Sequence, residues 1–167
     1  VHYKFIALLV VMLAVVSGCV ASSEKVSGIE AKRQQSLQIE RGRQVVLTLG
    51  CNSCHTPDYM VKRSNIPEQD WLVGNTLGFR GPSGTVYPTN LRLLLNGMSE
   101  DQWLALAKRM RQDSPMAWIM LSDTPDQDLR AVYKFVSYLG PKGSPAPGRL
   151  PAGVIPTTQY VDYPDPH

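Results

Sequence analysis

Between residues 36 and 140 the apolar positions recur at helical spacing in three places. In "SLQIERGRQVVLTL", residues Ile39, Gly42, Val46 and Leu49 fall on one face, which predicts a first helix over Ser36–Leu49. A second helix is predicted after Ser99. There "SEDQ" is a Ser-x-x-Gln capping box, and Trp103, Leu106, Ala107 and Met110 form an apolar stripe. The third has the strongest boundary signals. Thr124 is placed to cap it, Pro125 suits the first helical position, and Gln127 completes a second capping box. Leu129, Val132, Tyr133, Val136 and Leu139 share a face, and Gly140-Pro141 stops the run. A glycine within a helix costs about 1 kcal/mol relative to alanine, so Gly42 asks for a packing reason.

The stretches between these helices have no such period. Thr56–Gly97 is rich in Gly, Pro and Asn with few strand signals, and reads as a long irregular loop. A loop of that length inside a compact domain needs something other than itself to pack against. Seven of the 13 prolines lie after Gly140, so "PKGSPAPGRLPAGVIPTTQYVDYPDPH" reads as an extended tail on the domain surface or partly disordered. Tyr160, Val161 and Tyr163 are the tail's docking candidates. The pattern therefore predicts an all-α fold of about three main helices, with long loops and a Pro-rich C-terminal tail.

The N-terminus follows a different pattern. Lys4 precedes "FIALLVVMLAVV", Phe5–Val16, an apolar run suited to the core of an export signal. "VSGC", Val16–Cys19, resembles the lipobox of bacterial lipoproteins, which implies acylation of Cys19. The other reading is an uncleaved anchor, since the apolar stretch extends to Ala21. Either reading exports the chain and ties it to a membrane. Residues 20–35 are polar and read as a tether that turns helical near its end.

Composition narrows the classes. The 167 residues suit one domain plus extensions, and 43% hydrophobic residues suffice for a core. Formal charge is +3, or +2 without Lys4, and the basic residues form no large patch. That excludes nucleic acid as the expected partner. "KRMR", Lys108–Arg111, reads as the solvated end of a helix.

The chemistry concentrates in "CNSCH". With Cys19 assigned to lipid, Cys51 and Cys54 are the remaining cysteines of the three. A disulfide between them would close a tiny loop and restrain nothing distant. Zinc needs a further ligand, and His2 and His167 stand at the chain's extremes. A thioredoxin-like pair needs a βαβ setting that the pattern lacks. Cys-x-x-Cys-His is the attachment motif of c-type haem. Thiols three apart on a helical turn each reach a vinyl group, and the next residue points its imidazole at iron from the same side.

With a helix before this motif and a methionine-bearing loop before a last helix, the chain resembles class I c-type cytochromes of bacteria. The stretches "GFRGPSGTVYPTNLRLLLNGMSEDQW", "SPMAW" and "DQDLRAVYKFVSYLGP" carry the rest of the resemblance, over about residues 36–160. It implies one covalent haem c inside the helices, and a close crossing of first and last helices at Gly42, opposite Tyr133 or Phe135. Met116 follows Pro115 in the loop before the last helix and matches the family's position for the second iron ligand. Ala117 stands where the subgroup usually has proline. Met12 lies in the signal, Met60 is too near His55, Met110 fits the second helix's stripe, and Met98 and Met120 are weaker candidates. His55 is expected to donate its other ring nitrogen to a carbonyl between Pro67 and Gly74. Arg80, Tyr87, Asn90, Arg92 and Trp118 are candidates for propionate contacts or the pocket wall.

The expected organisation is a signal peptide (1–18), a lipidated N-terminus and tether (19–35), a cytochrome c domain (36–140) and a tail (141–167). The expected role is electron transfer in the bacterial periplasm, by a carrier rather than an enzyme, with redox proteins as partners and iron ligated by His55 and Met116. The alternatives are the cytochrome subunit of a periplasmic dehydrogenase, which an exposed apolar patch on the tail would favour, and a haem peroxidase or gas-binding sensor.

Overall fold

The computed structural model of the chain describes residues 26–62, 65–110 and 121–163. By its contacts the chain divides into residues 1–37 and 38–167. Of the first unit the described part is helical and exposed throughout. Among the described residues no helix is long and apolar enough to cross a membrane. The run Phe5–Val16 and Cys19 lie outside them, as do Met116, Trp118 and Met120.

Helix α1 covers 26–48, longer at its start than the apolar face requires. It is followed by α2 (Cys51–His55), α3 (Tyr59–Lys62), a 3-10 turn at Glu68–Asp70, and strands β1 (Gly78–Gly81) and β2 (Gly84–Val86). Helices α4 (Leu91–Asn96), α5 (Glu100–Lys108) and α6 (Asp126–Leu139) come next, and β3 (Tyr160–Asp162) closes the order. The core gathers Val46 of α1, Trp71 and Leu72 of the loop, Leu95 of α4, Trp103 of α5, and Leu129, Phe135 and Val136 of α6.

The α5 capping box forms as the sequence predicts. The Gln102 backbone N–H donates to the Ser99 hydroxyl (3.2 Å), and the Ser99 N–H donates to the Gln102 side chain (2.7 Å). Helix α6 starts one residue later than expected. Its N-cap is Pro125 without a side-chain cap, and Asp126 and Asp128 in the first turn complement the helix dipole. Trp103 Nε1 donates to the Leu129 carbonyl (2.8 Å) and ties α5 to α6.

Gly42 has its packing reason. A Cβ there would run into the Ala131 carbonyl and lie 2.8 Å from Phe135 Cβ. Phe135, fully buried, is therefore the aromatic opposite Gly42. Tyr133 turns its hydroxyl to the Met98 carbonyl instead (2.9 Å).

The all-α expectation is overturned. Among the described residues six helices accompany a three-stranded mixed sheet of order β2-β1-β3. Strands β1 and β2 form an antiparallel hairpin around Pro82-Ser83, with Phe79 opposite Val86 and Gly81 opposite Gly84. Strand β3, from the tail, pairs parallel with β1. Each strand is three or four residues long, too short for alternation to show in the sequence. The glycines at 78, 81 and 84, which read as loop, make room for tail residues. A Cβ at Gly81 would meet the Tyr163 ring at 2.6 Å, and one at Gly84 would strike the Leu150 carbonyl. Thr85 and Leu150 exchange two backbone hydrogen bonds of 2.9 Å.

Candidate functional site

Gly50, at φ +69°, turns the chain out of α1 and is the N-cap of α2. A left-handed residue there suits glycine, because a Cβ is disfavoured in that region. The single helical turn that follows carries Cys51, Cys54 and His55. Cys51 and His55 are buried, Cys54 is half-buried, and both thiols are free. All three line one cavity of about 260 Å³. A water occupies about 30 Å³, so the space suits a larger group.

The rest of that wall is nearly all apolar. The hairpin and the residue after it supply Phe79, Val86 and Tyr87; α4 supplies Leu91 and Leu94; the far side has Trp103, Met110, Leu121 and Val132. Met110, expected in the core stripe of the second helix, thus reaches the same space as the thiols and imidazole. Of the residues expected at propionates, Tyr87 lines the cavity. Arg80 is held bidentately by Asp162 (2.6 and 2.9 Å) and stacks on Tyr160. Asn90 caps α4 and donates to the carbonyls of Lys142 and Ser144 (2.8 and 3.1 Å). Arg92 is buried and donates to the carbonyls of Leu139 and Gly140 at the end of α6, and to that of Gln69 (3.1 Å).

His55 Nδ1 donates to the Thr89 carbonyl at 2.7 Å. The neutral ring therefore has its proton on Nδ1 and its lone pair on Nε2. The acceptor lies beyond the expected Pro67–Gly74 stretch, which meets His55 at its backbone: the Gly74 N–H donates to the His55 carbonyl (2.8 Å). Burial lowers the imidazole's pKa, and the bond to Thr89 partly offsets that. Burial pushes the Cys51 thiol up to about 12, and it also raises Cys54. Both cysteines are thus protonated at neutral pH. Among the described residues no three His, Cys, Asp or Glu side chains converge as a metal set.

The donor set fits a covalently held haem. Two neutral thiols and one oriented imidazole border a space whose other walls are aromatic and aliphatic. No family model, curated protein or solved structure matches the chain.

Proposed function

We propose that the protein is an exported, membrane-tethered monohaem c-type cytochrome that carries single electrons between redox proteins. The observation that carries this reading is the meeting of Cys51, Cys54 and His55 at one apolar cavity, with the imidazole oriented by Thr89. Cys51 and Cys54 hold the haem as thioethers, and His55 offers Nε2 to the iron. Haem, when bound, supplies the Fe(III)/Fe(II) couple. The chain's own work is to fix the imidazole, exclude water with the apolar wall, and supply a second ligand. A thioether ligand raises the potential of such a couple. Met116 is the proposed ligand on the resemblance to class I cytochromes, and Met110, which lines the cavity, is the residue to compare with it. Acylated Cys19 confines the carrier to a membrane surface and so raises its concentration near membrane-bound partners.

A second reading, a subunit of a periplasmic dehydrogenase complex, has one observation in its favour. The tail exposes Val154, Ile155 and Val161 (43%, 69% and 43%), an apolar set suited to a lasting interface.

The test is the absorption spectrum of periplasmically matured protein, oxidised and reduced, with and without carbon monoxide. The expected wild type has a c-type reduced spectrum, a ferric iron–sulfur band and no CO binding. Met116→Ala loses the band and gains CO binding; Met110→Ala keeps both properties. The reverse pattern moves the ligand to Met110. CO binding by the wild type defeats the carrier reading, and a protein without attached haem defeats the whole assignment.

A further inference from the structure

Leu72 is fully buried and has φ +63°, a conformation that side-chain-bearing residues rarely adopt. Its N–H donates to the Thr56 hydroxyl (2.8 Å), and that hydroxyl donates in turn to Asn52 Oδ1 (2.7 Å). Thr56 is buried at 1% exposure, follows His55 directly, and is not part of the cavity wall. The reversal at Leu72 brings the Gly74 N–H to the His55 carbonyl (2.8 Å) and the Asn75 N–H to the Pro88 carbonyl (3.0 Å). The Arg92 N–H closes the same contact by donating to the Leu72 carbonyl (3.3 Å). Gly74, at φ +83°, lies so close to the 88–90 segment that a Cβ would sit 2.9 Å from Asn90 N. Segment 72–75 is thereby zipped to 88–90, and Thr89 of that segment holds the imidazole.

We propose that Thr56 is a positioning residue for His55. Its hydroxyl holds Leu72 in the left-handed conformation, and that conformation sets where Thr89 meets the ring. This rests on His55 being the iron ligand. The route is indirect but continuous, from hydroxyl to Leu72, to the 72–75 and 88–90 contact, to the ring. Loss of the hydroxyl strands the Leu72 N–H in the core and lets the reversal relax. The bond between Nδ1 and Thr89 then weakens. A weaker bond there makes the imidazole a poorer electron donor to the metal, so the oxidised state loses support.

The experiment compares wild type, Thr56→Val and Thr56→Ser as full-length matured protein. It reads two quantities: the midpoint potential, and by NMR the solvent exchange of the His55 Nδ1 proton. Thr56→Val is expected to raise the potential and speed the exchange, while Thr56→Ser, which keeps the hydroxyl, matches wild type in both. An unchanged potential and exchange in Thr56→Val overturns the proposal, even if the variant unfolds more easily. If Thr56→Val does not fold, Thr56→Ala, which also removes the hydroxyl, decides: a raised potential with faster exchange supports the proposal, and wild-type values overturn it. Wild type without attached haem defeats the haem reading separately, and proton exchange at Nδ1 still tests the part played by Thr56.

Discussion

Gly42 and Gly84 each press backbone against another element, and the two contacts serve different parts of the molecule. At Gly42, α1 crosses α6, and the missing Cβ leaves room for Ala131 and Phe135. At Gly84, the hairpin meets the returning tail, and the missing Cβ leaves room for Leu150 and Pro151. The first contact is buried, its Phe135 fully so, with the ion pair Arg41–Asp128 (2.5 Å) beside it. At the second Gly84 is buried too, but its tail partners Leu150 and Pro151 are half-buried and exposed, and it is held by the Thr85–Leu150 backbone bonds and by Arg80–Asp162. The same device therefore serves two purposes. Between helices it lets a core close. Between hairpin and tail it lets a strand be added to a small sheet whose hairpin also walls the cavity.

The largest test of that contrast is Gly42→Leu. Overpacking of about 3 kcal/mol or more is expected, because the obstacle is backbone and has nowhere to move. A urea titration should show a large drop in midpoint. A small drop would mean that α1 and α6 are free to separate. Gly84→Ala comes next, at about 1–3 kcal/mol. Its φ of +110° and the Leu150 carbonyl both oppose a Cβ. Here the loss should be local: limited proteolysis cuts the tail sooner while helical circular dichroism stays. Equal loss of helix would show that the tail and the helical core unfold as one.

The smallest effect is electrostatic. Burial pushes the Glu100 carboxyl up, but hydrogen bonds from Lys134 and Arg130 outweigh it and hold the group below its usual range. The Arg80 hydrogen bond holds Asp162 below its range as well. A depressed folded pKa stabilises above the unfolded value, about 4, and that contribution is lost as pH falls through the folded one. Thermal midpoints from pH 6 to pH 2 should therefore decline less steeply in Glu100→Gln than in wild type. Asp162→Asn should change the slope less, since its side chain is 64% exposed against 22% for Glu100. Equal slopes would place the two ion pairs in equivalent surroundings.

What the sequence disclosed was local. The Ser99–Gln102 box, the stop at Gly140 and the grouping of Cys51, Cys54 and His55 depend on residues within a turn or two of each other. Gly42 was legible as a tight spot because glycine is costly in a helix, but its partner was not. Tyr133 and Phe135 lie two apart, and the course of α1 decides which one is covered. Helix α4 did carry a signal, Asn90 before and Gly97 after "LRLLLN", but six residues show no period. The sheet stayed hidden because β1 and β3 recognise each other through backbone and glycine gaps, which composition reads as loop. Thr89 was missed as the imidazole's acceptor because it is 34 residues from His55 and acts through its main chain.

The parallel pairing of β1 with β3 also orders events in time. Arg80 and Asp162 are 82 residues apart, and a chain made from its N-terminus releases the second long after the first. Contacts of such separation close late, because a long loop must be ordered before they form. The turn bearing Cys51, Cys54 and His55 is made long before β3 (Tyr160–Asp162), and until β3 emerges the β1 edge of the hairpin stays open. The pairing of β1 with β3 thus closes on a segment made much earlier, and a chain lacking β3 would keep Cys51, Cys54 and His55 and lose that closure.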